Sequence, residues 1–166
     1  QPWQFHDRMV TFAELAGTSA PARCDGISLL PTLTGVGQQR EGIVYSEYSG
    51  GGNTPNYAEF DPSHRGRPRG QMQVIFVDGY KGIRTAIQNH DTPFEIFDVA
   101  ADPQETVNLA GSTPYFTQLQ ERMKARVLEV RQPNSSASRP YDSALVPSVG
   151  LPLSPGLDFA AFEGTW

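Results

Sequence analysis

The chain is poor in the residue types from which chemistry is usually read. It has one cysteine, Cys24, in 166 residues, which excludes an internal disulfide framework and a cysteine-rich zinc site. It has no surplus of positive charge: 13 Lys and Arg stand against 18 Asp and Glu, for a net charge of -5. A domain that holds a phosphate backbone shows the opposite balance or a dense basic face, so nucleic acid is not an expected partner. No apolar run approaches the ~20 residues of a membrane-crossing helix, and no membrane span is expected. Hydrophobic residues make up only 38%, beside 16 Gly and 14 Pro. That mixture concentrates the core in a few segments and leaves much of the chain as loop. Gln1 opens into sequence of mid-protein character, without the regions of a signal peptide, and we expect this N-terminus to be a cut.

Familiar catalytic patterns are missing too. Gly50-Gly51-Gly52-Asn53 is followed by no Lys-Ser/Thr pair and no helix start, so it is not a phosphate loop. His90 and Asp91 have no nucleophile in a context such as GxSxG, and turn chemistry accounts for them. Asp98, Asp102 and Glu105 lack the alternating oxygen ligands and central Gly of a calcium loop; they read as turn residues. His6 has no histidine one helical turn away and is assigned no role. Cys24, beside Arg23, reads as a small packed residue.

What the sequence does contain is a fold pattern. Met72–Val77 and Tyr80–Ile87 are strand-length runs around Asp78-Gly79, and a DG pair in that setting predicts a hairpin because its turn needs positive φ. We expect Val74, Phe76, Ile83 and Ile87 in the core. Lys81 and Arg84 either face an anion or are exposed strand cations. Ile43–Ser49 and Phe94–Val99 supply two further strands. Thr113-Pro114 is a helix N-cap with proline at the first position, and Phe116, Leu119, Met123, Val127 and Val130 then recur on one face to about Arg131. A short helix over Asp7–Ala16 has Asp7 as N-cap, Gly17 at its end and Met9, Phe12, Ala13 and Ala16 on a buried face. A helical turn is expected near Leu29–Thr34. The fold class is α+β: a small antiparallel sheet of about four strands packed by one long C-terminal amphipathic helix, plus a short N-terminal helix and an extended Pro-rich tail.

Residues 50–70 form a polar connection longer than the usual ~12 to 15 residues, ending in His64-Arg65-Gly66-Arg67-Pro68-Arg69. This cluster is either a guanidinium fork for sulfate, phosphate or carboxylate or a solvated basic turn.

The order QFHDRMVTFAELAG, DGISLLPTLTG, IVYSEYS, DGYKGIR and FEIFDVAADPQETVNLA, followed by an amphipathic helix, resembles the C-terminal part of type I, formylglycine-dependent sulfatases of the alkaline phosphatase superfamily. Residues 1–131 carry the resemblance. Its most specific parts are Asp25-Gly26-Ile27-Ser28-Leu29-Leu30-Pro31 and Phe97-Asp98-x-x-x-Asp102-Pro103-x-Glu105-x-x-Asn108-Leu109. A departure is Val10, where many members carry Pro. The resemblance implies a parent that hydrolyses sulfate esters with a formylglycine and a calcium ion, and that works in the periplasm or is secreted. It also implies that this fragment holds no catalytic residue, metal or cofactor: Cys24 precedes Asp25-Gly26-Ile27 rather than a CxPSR sequence. The implied partner is the remainder of the sulfatase chain, with sulfated glycan as a candidate ligand. The substrate-facing candidates are Tyr48, His64, Arg65 and Arg67. Two alternatives stay open, a free-standing module that binds sulfated polysaccharide and a fragment of a related phosphodiesterase.

The expected organisation is residues 1–42 as the end of the large sulfatase domain, 43–132 as the sheet-plus-helix subdomain and 133–155 as a Pro-rich linker or strap. Residues 156–166, GLDFAAFEGTW, are similar to the opening strand of PA14-type β-modules and would start a further module.

Overall fold

Asp78 and Gly79 both sit at positive φ, 53° and 82°, as a two-residue hairpin turn requires. In the computed structural model, which describes residues 2–133 and 135–147, this turn joins the two central strands of a four-stranded antiparallel sheet. The strands are β1 (Tyr45–Ser49), β2 (Gln71–Val77), β3 (Tyr80–Arg84) and β4 (Glu95–Phe97), in the spatial order β1-β2-β3-β4. With them stand three α-helices, α1 (Asp7–Leu15), α2 (Leu30–Thr34) and α3 (Pro114–Val130), and one 3-10 turn, Pro62–His64. The segment 156–166 lies outside the described residues, as does the stretch 148–155.

The α3 helix starts where its cap and proline place it, with the Phe116 N–H donating to Thr113 Oγ1 at 3.4 Å. It lays Leu119, Met123 and Val127 on Ile75, Phe94 and Ile96 to make the core. Each such side chain contributes roughly 1.5–3 kcal/mol of burial before entropy is subtracted. Gly82 lets the helix approach: a Cβ there would stand 2.6 Å from Met123 Sδ and 3.2 Å from a ring carbon of Phe94. Gln120 fastens the helix to the strand entry, donating to the Phe94 carbonyl and accepting from the Phe94 N–H, both at 2.8 Å.

The strand phase differs from the expectation. Val74, Phe76 and Ile83 are only partly covered, whereas the helix-facing side carries Gln73, Ile75, Gly82 and Arg84. Ile87 is buried as expected. The reason is that Gln73 and Arg84, paired across the strands, satisfy one another in the interior. Arg84 Nε and Nη2 donate to Gln73 Oε1 at 2.8 and 2.5 Å, and Nη1 donates to the carbonyls of His90 and Thr92. Arg84 is therefore neither an anion contact nor an exposed cation; burial lowers its pKa to about 10.

The α1 helix is also turned relative to the expectation. Its buried residues are Asp7 and Thr11, while Met9, Phe12 and Ala16 are exposed and Ala13 is half-buried. Asp7 is the first helical residue rather than the cap. Its carboxylate accepts from the Gln4 N–H at 2.9 Å and the Ile27 N–H at 3.0 Å, and Thr11 Oγ1 accepts from the Leu29 N–H at 2.9 Å while donating to the Asp7 carbonyl. Two buried side chains thus supply the acceptors for the Ile27 and Leu29 N–H groups and hold this segment on α1. Gly26 approaches so closely that a Cβ would meet the His6 carbonyl oxygen at 2.3 Å.

Candidate functional site: the arm between the first two strands

Residues 50–70 are not a free loop. The Gly50 N–H donates to the Gly70 carbonyl, Arg69 N–H to Gly52, Thr54 N–H to Arg67 and Gly66 N–H to Thr54, at 2.9 to 3.1 Å, with an Asn53–Pro68 bridge between. The arm is an irregular continuation of the β1–β2 hairpin, which accounts for a connection of this length. Gly52 and Gly66 supply positive φ at its bends. A 3-10 turn, Pro62–His64, sits near the tip. Asp61 Oδ1 caps it by accepting from Ser63 N and Ser63 Oγ at 2.9 and 2.6 Å, and these bonds lower the Asp61 pKa.

The arm returns to the sheet through His64 and Arg67. Arg67 forms a two-pronged pair with the Glu95 carboxylate, one arm at 2.9 Å, and the hydrogen bonds to Glu95 raise its pKa. Both partners are about a third exposed, so water screens the pair to roughly 1 kcal/mol or less. His64 Nε2 lies 2.8 Å from the Glu105 carbonyl, to which it must donate, leaving Nδ1 as acceptor toward Arg67 Nη1 at 3.4 Å. Glu105 has φ 57° without being glycine, which costs about 1–2 kcal/mol. Its side chain accepts from Lys81 Nζ at 2.6 Å.

Arg65 turns back on the tip, donating to the carbonyls of Phe60 and Ala58 at 2.7 and 2.6 Å. Arg69 is exposed, with Nη2 3.5 Å from the Gly51 carbonyl. His64, Arg65 and Arg67 therefore come together on one arm. Tyr48 does not join them: it is exposed on β1 and lines a separate cavity of about 340 Å³ with Glu47, Gln71 and Arg139. His64 lines a cavity of about 410 Å³ with Thr54, Glu59, Phe60, Asp61, Gln104 and Glu105. Its wall carries three carboxylates and an aromatic ring, a set that accepts hydroxyl or ammonium hydrogens and stacks on a sugar face more readily than it takes a second anion.

The acidic motif is structural in each part that can be followed. Asp98 Oδ1 accepts from the N–H groups of Ala100 and Ala101, both at 3.1 Å. Asp102 accepts from the Val107 N–H at 2.9 Å and from Thr106 Oγ1, which lowers its pKa. Asn108 Oδ1 accepts from Ile96 N and Ala110 N, both at 3.0 Å, and so covers the outer edge of β4. These oxygens already have partners, and among the described residues no three His, Cys, Asp or Glu side chains converge as metal ligands.

Glu95 carried no signal in the sequence beyond its place in a strand, and Glu105, read as a turn residue of the acidic motif, gave no sign that its carbonyl meets His64. A second omission is Tyr141, fully buried in the Pro-rich stretch. Its hydroxyl donates to Glu47 Oε2 at 2.6 Å, as does that of Tyr45, while Arg139 pairs with the other Glu47 oxygen. Arg131 donates to the carbonyls of Tyr141, Asp142 and Ala144, so this segment lies directly on β1.

Residues 4–133 match the family model described as N-sulphoglucosamine sulphohydrolase, C-terminal. The chain belongs to this sulphohydrolase C-terminal family. The motif whose turns are built by Asp98, Asp102 and Asn108 falls inside the family region, and Tyr141 falls beyond it. No curated protein matches the chain. Similar solved structures include BT4656 in complex with its substrate D-glucosamine-2-N,6-O-disulfate, at 20% identity and TM-score 0.48, covering 74% of this chain and 23% of that one. They include the phosphonate monoester hydrolase of Agrobacterium radiobacter, at 22% identity and TM-score 0.43, covering 74% and 23%. The phosphonate monoester hydrolase SpPMH from Silicibacter pomeroyi is 24% identical with TM-score 0.43, covering 74% and 24%. The chain thus spans about a quarter of the length of these solved relatives. Among the described residues no helix is long and apolar enough to cross a membrane.

Proposed function

We propose that this chain is the C-terminal portion of a sulfuric ester hydrolase, that it has no turnover of its own, and that the arm 50–70 forms part of the rim of the parent's substrate pocket. The observation that carries this reading is the family match over residues 4–133, which includes the arm and the turns that support it. The sulfate-cleaving groups, a formylglycine and calcium in this reading, belong to the rest of the parent. Cys24 stands before Asp25-Gly26-Ile27 and the turn carboxylates already accept hydrogen bonds, so no step is assigned to either group here.

The four candidates, three on the arm and Tyr48 on β1, divide by their partners. His64 and Arg67 position it, because their polar atoms engage Glu105 and Glu95. Tyr48 and Arg65 offer surface: an exposed phenol, and guanidinium hydrogens that the Phe60 and Ala58 carbonyls leave unused. A sulfated glycan suits this division, with its sulfate near the cations and its ring and hydroxyls toward Phe60 and the carboxylates. A periplasmic or secreted parent is consistent with that ligand.

The test is an aryl sulfate assay of the full-length parent beside residues 1–166, both with calcium. The parent should turn over and the chain alone should not; activity in the chain alone, or none in the parent with any sulfate ester, would sink the proposal. In the parent, Tyr48→Ala and Arg65→Ala should raise KM for a sulfated saccharide more than they lower kcat.

A further inference from the structure

The strap that follows α3 is fastened to the sheet by three side chains. The fully buried Tyr141 donates its hydroxyl hydrogen to Glu47 Oε2 at 2.6 Å and accepts from Gln71 Nε2 at 2.8 Å. Arg139 pairs with the other Glu47 oxygen and donates from Nη2 to the Gln132 carbonyl, and its own N–H donates to Asp142 Oδ2 at 2.9 Å. Arg131 holds the far side of the strap through the carbonyls of Tyr141, Asp142 and Ala144. These bonds set Ala137, Ser138 and Arg139 beside the end of β1, and together with Tyr48 and Ser49 they enclose the cavity of about 340 Å³. The family match ends at residue 133, so one wall of this cavity is made by residues outside the matched region.

Tyr48 is presented there by its neighbour. A Cβ at Gly50 would stand 2.6 Å from the Tyr48 ring carbon Cε1, and Gly50 is not among the glycines at positive φ. The backbone therefore makes no demand for glycine at this position; the ring does. It rests on Gly50 and stays 63% exposed. The two charged residues of the lining are paired with each other: Glu47 accepts from two tyrosine hydroxyls on one oxygen and from Arg139 on the other. A guanidinium already matched to a carboxylate is a poor seat for a further anion. The rest of the lining is an aromatic ring, the hydroxyls of Ser49 and Ser138 and the Gln71 amide, a set that stacks on a sugar ring and exchanges hydrogen bonds with its hydroxyls.

We propose that this cavity is a subsite for an uncharged, hydroxyl-bearing sugar unit, with Tyr48 as its stacking platform and Ser138 of the strap as its opposite wall. Tyr48 is substrate-facing in the glycan sulfatase proposed above, and on that reading the strap narrows its ligand. The sulfate belongs with the arm, where Arg65 keeps guanidinium hydrogens, and Tyr48 takes a neutral unit of the same glycan.

Amide NMR titration of isotope-labelled residues 1–166 tests this without any sulfate turnover. The probes are cellobiose, lactose, maltose and N,N′-diacetylchitobiose, with inorganic sulfate as the competing chemistry. At least one disaccharide should give saturable shifts at the amides of Gly50, Gln71 and Ser138, and sulfate should give none there. Tyr48→Ala should weaken that binding about tenfold and Ser138→Leu about fivefold. Ser143→Leu, the same change at an exposed strap serine that does not line the cavity, should leave it unaltered. No shift at these amides with any of the sugars, a response to sulfate in their place, or binding that survives both Tyr48→Ala and Ser138→Leu would overturn the proposal. A parent that hydrolyses no sulfate ester, beside a chain that binds sugar here, would keep the subsite and sink only the enzymatic assignment. A parent that turns over, beside a chain that binds none of the sugars, would do the reverse.

Discussion

Two helices with similar patterns in the sequence meet opposite surroundings. In α3 the stripe Leu119, Met123 and Val127 is fully buried on the sheet; in α1 the stripe of Met9 and Phe12 is exposed and the buried positions are Asp7 and Thr11. Periodicity states which residues share a side of a helix. It does not state what lies opposite that side. The contrast makes α3 part of the core and leaves the large apolar side chains of α1 exposed.

The largest effect expected from breaking the contrast is at α3. Leu119→Asp places an unpaired carboxylate in the core and should cost more than about 4 kcal/mol, removing the cooperative transition in urea. On α1 the vulnerable position is polar: Asp7→Ala leaves the Gln4 and Ile27 N–H groups without their acceptor and should cost about 2 to 3 kcal/mol, seen as faster amide exchange at Ile27. Gly82→Ala pushes a methyl against Met123 and Phe94, and an effect of about 1 to 2 kcal/mol is expected by chemical denaturation. The smallest effect is from pH. Burial, then the neighbouring Arg84 guanidinium, holds the His90 imidazole below its ordinary value. The unfolded chain consequently takes up this proton first, near pH 6.5, and stability is full above that pH and falls as pH drops through it toward the lower folded value. A Tm series from pH 7.5 to 5 should show this decline, reduced in His90→Gln.

The same contrast separates what the sequence discloses from what it does not. The Asp78-Gly79 turn, the Thr113-Pro114 helix start and the α3 stripe are legible because each depends on residues close together in the chain. The phase of β2 and β3 is not, since it is decided by the Gln73–Arg84 pair and by the room Gly82 gives Met123, contacts formed only once strands and helix have met. At the candidate site, the grouping of His64, Arg65 and Arg67 is local and readable. Their partners Glu95 and Glu105 lie 28 and 41 residues farther on from Arg67 and His64, and the sequence gives no sign of the pairing. Tyr141 is hidden for another reason: a single buried aromatic in a Pro-rich segment has no period.

The most direct measurement applies one chemical change to both helices. Met123→Ala and Met9→Ala delete the same atoms, and urea unfolding of residues 1–166 reads both. Met123→Ala should lose about 2 to 5 kcal/mol and Met9→Ala less than about 0.5 kcal/mol; equal losses, or the larger loss at Met9, would contradict the opposed orientation of α1 and α3.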